Sequence, residues 1–181
     1  MEGLSHKRSL WWIIALSSLL LFLIQASFFG DWLVDDAGIS IAYAQNWASG
    51  YGLVDQSGKP PVEGFSNFLW VAILALMQKS GAFSIPFTPK LLGVLFCISS
   101  ILILQQHGTR LSSPILGAIL ILLIPTHPSI VQWSVSGLET GLYLFLILGL
   151  IHLLTPSTYS EKTALLLGLT ISLLSLTRPK G

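Results

Sequence analysis

Residues 35–70, DDAGISIAYAQNWASGYGLVDQSGKPPVEGFSNFLW, are a polar interruption in an otherwise apolar chain of 181 residues. The stretch opens on two adjacent carboxylates, Asp35 and Asp36. A short amphipathic segment, a break at Gly50-Tyr51-Gly52, a turn at residues 55–58 and the pair Pro60-Pro61 follow. Helix bundles join their helices with short connections, so a long structured insert is where chemistry is expected. From Ile39 the apolar residues Ile39, Ala42, Tyr43 and Trp47 recur at helical spacing, with Ser40, Gln45 and Asn46 on the other face. This spacing predicts an amphipathic helix over about 36–49 lying along a membrane surface. Asp35 and Asp36 stand at its start, where one aspartate as N-cap and the other favouring the helix dipole is a purely structural reading.

Around this stretch the composition is that of a membrane protein. Hydrophobic residues make up 52% of the chain and charged ones 9%, with mean hydropathy +0.76; an ordinary soluble domain is about 25% charged. The net charge of +1 provides no basic field for nucleic acid. A single cysteine, Cys97, excludes an intrachain disulfide and a thiolate metal site. His6, His107, His127 and His152 are scattered without ligand spacing, which points to structural or interfacial roles.

The apolar runs predict an all-α polytopic membrane bundle, one domain with spans at about 10–30, 89–106, 113–125, 137–154 and 163–177. Between the first two lies an outer loop, 31–88, carrying the interfacial helix already described and a second apolar segment at about 64–79. The apolar part of that segment, Phe65 to Met77, is about 20 Å as a helix, too short for a hydrocarbon core of about 30 Å. It therefore reads as interfacial or re-entrant. Thr88-Pro89 and Ser113-Pro114 are N-cap and N1 pairs, and Pro125 and Pro128 break or kink the third span before a loop at 129–136. The first span reads as a retained anchor with a cytoplasmic N-terminus, because its run is too long for a signal-peptide core. The end at Arg178-Pro179-Lys180-Gly181 reads as the front part of a longer chain.

Counting cations tests the topology. With 64–79 not crossing, Lys7, Arg8, Arg110 and Lys162 lie inside and Lys59, Lys79, Lys90, Arg178 and Lys180 outside. With it crossing, six lie inside and three outside, which the positive-inside rule prefers. Length decides for the non-crossing arrangement. The Asp35-Asp36 helix, Glu139 at the start of the fourth span, and Arg178 with Lys180 after the fifth then meet on the outer face. Charge at mid-bilayer costs about 2.5–3.5 kcal/mol even on the lenient scale, so each belongs at the water boundary or in a wet cavity.

Four segments together carry a family likeness. Residues 35–54, the segment VEGFSNFLW at 62–70, SGLET at 136–140 and LTRPKG at 176–181 resemble, in order and spacing, the N-terminal part of GT-C type glycosyltransferases. The likeness is to their arabinofuranosyltransferase-like and protein mannosyltransferase-like members, and it covers essentially the whole chain. Those enzymes usually continue for several hundred residues more. The resemblance implies a membrane enzyme, in a plasma membrane such as the bacterial inner membrane, that moves a hexosyl or pentosyl group from a polyprenyl-phosphate carrier. The acceptor would be a hydroxyl of a glycan, lipid or protein on the outer face. It implies an acid of the first outer loop, Asp36 or Asp35, as general base, with Asp36 preferred. Glu139 matches an acidic position of the second outer loop. Arg178 and Lys180 lie where a basic residue near the carrier phosphate is common, although Lys180 replaces an acid usual in these members. Lys59 is a further cation of the outer loop that could meet the phosphate.

The chemistry asks for these residue types on its own terms. An alcohol becomes a good nucleophile when a placed carboxylate takes its proton, worth about 10²–10⁴ in rate. A departing phosphate is stabilised by Arg or Lys. No Gly-rich nucleotide loop occurs, in keeping with a lipid-linked donor. A divalent metal is chemically compatible with Asp35, Asp36 and Glu139, although no spacing demands it. Of the six tryptophans most fall at span ends or in outer loops as an interfacial belt, with Trp47 or Trp70 placed for sugar stacking. The alternative from another class is a non-catalytic remnant or accessory subunit that binds a lipid carrier or partner helices. A transporter is disfavoured, because the sequence lacks the paired broken helices such folds use.

Overall fold

The computed structural model describes residues 2–155 and 160–178, with side chains from residue 9 onward. Among the described residues there are eight α-helices and no strand. In chain order they are α1 (Glu2–Ser27), α2 (Asp35–Ala48), α3 (Phe68–Lys79), α4 (Phe87–Gly108), α5 (Pro114–Thr126), α6 (Pro128–Ser134), α7 (Thr140–Leu154) and α8 (Glu161–Thr177). Two stretches, Ser9–Ser27 of α1 and the 22 residues of α4, are long and apolar enough to cross a membrane. The pair α5–α6, bent by 52°, would make a third if it is one span. At 15 and 17 residues, α7 and α8 reach only about 22 and 25 Å. Length and composition thus support two or three of the five expected spans.

Contacts between helices fix their relative directions. α1 and α5 run side by side in the same sense: Trp11 abuts Gly117, Ser18 Oγ donates to the Ile121 carbonyl at 2.8 Å, and Gln25 Nε2 donates to the Pro125 carbonyl at 2.6 Å. These bonds answer to the prolines. Pro125 has no N–H, which frees the Ile121 carbonyl four residues back, and Ser18 supplies the missing donor. The bend after Thr126 frees the Pro125 carbonyl in turn, and Gln25 takes it. Beyond the bend the chain continues as the short helix α6 rather than the loop expected at 129–136. His127, extended between two helices, marks the break.

α4 and α7 also run in the same sense, against the direction of α1 and α5. Gly93 lies on Gly141, Phe96 on Phe145 and His107 on His152. A Cβ on Gly93 would collide with the Ser134 carbonyl of α6, and one on Gly141 would come within 2.8 Å of the Gly93 carbonyl. Small residues at these points let the backbones approach, as in helix packing inside membranes. α8 then returns antiparallel to α7, bringing Arg178 beside Glu139. Gly30, Glu139 and Arg178 share one end of the bundle, the site end.

α2 and α3 pack on that end. Ile41, Tyr43, Trp70 and Leu74 share a core with Leu142 and Leu146 of α7, while Phe22, Ile101, Ile121 and Val131 form a second core among α1, α4, α5 and α6. Tight turns join α3 to α4: the Ala82 N–H reaches the Met77 carbonyl, and Thr88 Oγ1 accepts from the Ser84 N–H at 2.9 Å. α3 therefore begins and ends at the site end, and its 12 residues reach about 18 Å. Most of α1 faces outward, with only 17% of its apolar window buried, and the exposed residues include Leu16 and Leu20.

Several local expectations need correction. The N-cap of α2 is Val34 and no side chain caps it, so Asp35 and Asp36 both lie inside the first turn. Neither aspartate is a cap, although both are placed to favour the dipole. The buried face of α2 is Ala37, Ser40, Ile41, Tyr43 and Ala44, whereas Ile39 is 45% exposed. Ser40 can be buried because its hydroxyl is hydrogen-bonded, and the two alanines permit close packing. Thr88 and Pro89 lie within α4, which starts at Phe87 after Pro86; the Thr88 hydroxyl serves the preceding turn instead. Ser113 does cap α5, accepting from the Leu116 N–H.

Candidate functional site

Glu139 is delivered by a loop whose shape depends on one glycine. Gly137 has φ +91°, and a Cβ there would meet Leu33 and Ala37 at under 3 Å, since the nearest atoms lie at 2.8 and 2.9 Å. Only glycine suits both the conformation and the space. The loop is held from two sides: Trp70 Nε1 donates to the Gly137 carbonyl at 3.0 Å, and the Val34 N–H donates to the Ser136 carbonyl at 3.0 Å. Glu139 then stands as the N-cap residue of α7, where the helix dipole favours a carboxylate.

Two distant segments bond this carboxylate, and a third is joined to it through Asn67. Oε2 accepts from Asn67 Nδ2 at 2.7 Å, and Oε1 accepts from Arg178 Nε at 2.9 Å. Asn67 Nδ2 also donates to Ser40 Oγ at 3.0 Å. A carboxylate can only accept, which fixes the amide with its NH₂ toward Glu139. The Glu139 side chain is 6% exposed and that of Arg178 47%, so the pair is desolvated on the acid side and wet on the base side. The guanidinium carbon lies 5.7 Å from the ring centroid of Tyr143, one turn along α7, a cation–π placement.

Two cavities open on this cluster. The first, about 350 Å³, is lined by Asp36, Ser40, Ser66, Asn67, Glu139 and Arg178 among others. The second, about 380 Å³, is lined by Asp36, Trp133, Leu138, Thr140 and Arg178. Asp36, Leu138 and Arg178 border both. Helix geometry accounts for the place of Asp36: it lies three and four residues before Ile39 and Ser40, which line the same wall. Asp35, one residue back and about 100° away around the helix, lines neither cavity.

The expected site residues thus separate. Asp36, Glu139 and Arg178 come together; Asp35 and Lys59 are exposed and border neither cavity, and Lys180 lies outside the described residues. Among the described residues no three His, Cys, Asp or Glu side chains gather as a metal-ligand set, so Asp35, Asp36 and Glu139 do not form the carboxylate cage that a hard cation needs. Trp70 is fully buried with its indole N–H bonded, which removes it as a stacking surface. Trp47 packs on Phe68 and lines a separate apolar groove with Ala72, Ala75, Leu76 and Lys79.

Asn67 and Ser40 were not singled out in the sequence. An asparagine before an apolar run signals an N-cap, and Asn67 does hold that position in α3, yet its side chain makes no cap bond. Its amide is directed across the chain instead. No family model, curated protein or solved structure matches this chain.

Proposed function

We propose that this chain carries the catalytic end of a membrane glycosyltransferase of GT-C type, moving a hexosyl or pentosyl group from a polyprenyl-phosphate donor to an acceptor hydroxyl on the outer face. The observation that supports this is the meeting of Asp36, Glu139 and Arg178, from α2, the start of α7 and the end of α8, around two cavities that share Asp36, Leu138 and Arg178. In the reaction the acceptor oxygen attacks the anomeric carbon, and its proton passes to the Asp36 carboxylate. The bond from that carbon to the phosphate oxygen breaks, and the polyprenyl phosphate leaves with its electron pair. Arg178, half exposed and aimed by Glu139, is placed to meet the growing phosphate charge. Glu139 is engaged by two donors, which suits a positioning role rather than that of base. Exposed leucines and isoleucines of α1 and α5 suit lipid, in which the carrier's tail would run.

One observation favours a second reading. Both Glu139 carboxylate oxygens are satisfied by protein donors, Asn67 and Arg178, as in a structural network, and an accessory subunit that binds a lipid carrier would need nothing more. Transfer assays separate the two. Proteoliposomes holding the full chain are given labelled polyprenyl-phosphate hexoses and pentoses. The enzyme reading expects label in an acceptor fraction, with Arg178→Ala raising the donor KM about tenfold or more. Donor binding without transfer under every donor would favour the accessory subunit.

A further inference from the structure

We infer that the second cavity is a sugar-ring subsite and that Trp133 is its stacking face. Three observations carry this. First, Trp133 is 39% exposed and shares its cavity with Asp36, Thr140 and Arg178. A flat apolar ring beside a carboxylate, a hydroxyl and a guanidinium is the environment that fits a sugar. The C–H face of a pyranose or furanose packs on an indole, and its rim hydroxyls donate to the carboxylate and accept from the cation. Second, the platform is held in place. Trp133 lies in α6, whose next residue, Ser134, is seated on Gly93 and contacts Cys97 Sγ at 2.8 Å, while Ser136 Oγ donates to the Trp133 carbonyl at 2.8 Å. Rigid placement of an aromatic lowers the entropy lost when a ligand binds. Third, the cavity volume of about 380 Å³ falls in the range of small-molecule sites, about 300–1,000 Å³.

A belt tryptophan at a membrane boundary needs none of these neighbours, which distinguishes Trp133 from Trp12, also exposed but lining only an apolar pocket with residues such as Leu16 and Ile98. The choice of a sugar as occupant rests on the proposed transfer reaction. The ring belongs either to the donor or to the acceptor, and both present the same chemistry to the indole.

The test uses the full chain in nanodiscs and saturation-transfer NMR with a panel of methyl hexopyranosides and methyl pentofuranosides, so that binding is read without any turnover. Wild type should transfer saturation to the ring C–H protons of at least one glycoside. Trp133→Leu, which keeps apolar bulk and removes the flat face, should weaken that glycoside's binding about fivefold or more. Trp133→Phe should retain most of it, and Thr140→Val should lose part of it at unchanged shape. Unchanged binding by Trp133→Leu, or no binding by any glycoside, overturns the subsite. In transfer assays a rise in KM confined to the donor or to the acceptor assigns the ring to that substrate. Glycoside binding through Trp133 with no transfer under any donor overturns the catalytic reading and leaves the subsite standing, whereas transfer with unaffected Trp133→Leu binding does the reverse.

Discussion

At the site end of the bundle Glu139, Asn67 and Ser40 are buried and each has a partner, whereas at the opposite end His107 Nε2 and His152 Nδ1 are buried with none among the described residues. Both clusters join elements far apart in sequence. At the site end a loop, an extended segment and a helix terminus bring donors and acceptors from several directions. At the other end the two imidazoles come from parallel helices, α4 and α7, and lie edge to face at 5.2 Å. An unsatisfied buried polar atom costs about 1–3 kcal/mol, while a satisfied network in a low-dielectric setting rigidifies what it joins. The difference teaches that buried polarity here is organised where the chain departs from regular helix.

This contrast can be broken by substitution. Glu139→Ala removes the acceptor of both Asn67 and Arg178 and should cost about 2–3 kcal/mol, less than a fully buried pair because Arg178 is half in water. Thermal unfolding in detergent should show a clear fall in Tm, and an unchanged Tm would erase the contrast. Gly93→Ala forces α4 away from the Ser134 backbone and should cost about 1–3 kcal/mol by overpacking, read in the same assay. His107→Leu removes a buried nitrogen without a partner but also the ring contact with His152, so stability should be unchanged or raised by up to about 1–3 kcal/mol. A large loss there would mean that the histidine pair is engaged after all and that the two ends are alike.

Much of the helical architecture was legible from residue patterns. Ser113-Pro114 announced α5, Pro125 and Pro128 announced its break, and the short apolar run before Lys79 announced the short helix α3. Other features lay beyond the reach of periodicity. Ser40 was assigned to the polar face because spacing alone cannot show that Asn67, 27 residues on, would bond it inside. Trp70 reads from the sequence as a belt or sugar-stacking residue, because its partner, the Gly137 carbonyl, belongs to another segment. Within the site, Asp36, Glu139 and Arg178 were readable as residue types, and the rotation of α2 adds that Asp36, already preferred, lines both cavities while Asp35 lines neither. The bonding of Asn67 across the chain and the cavity beside Trp133 carried no local signal, since both depend on which segments meet.

The most direct measurement is sugar transfer by membranes carrying Asp36→Asn beside membranes carrying Asp35→Asn, each matched to wild type for folded protein. The carboxylate that borders both cavities should be indispensable and its neighbour should not. Asp36→Asn is expected to lower the rate about 10²–10⁴-fold, with Asp35→Asn close to wild type. Full transfer by Asp36→Asn, or an equal loss in both variants, would contradict the assignment of Asp36 as the base of this cleft.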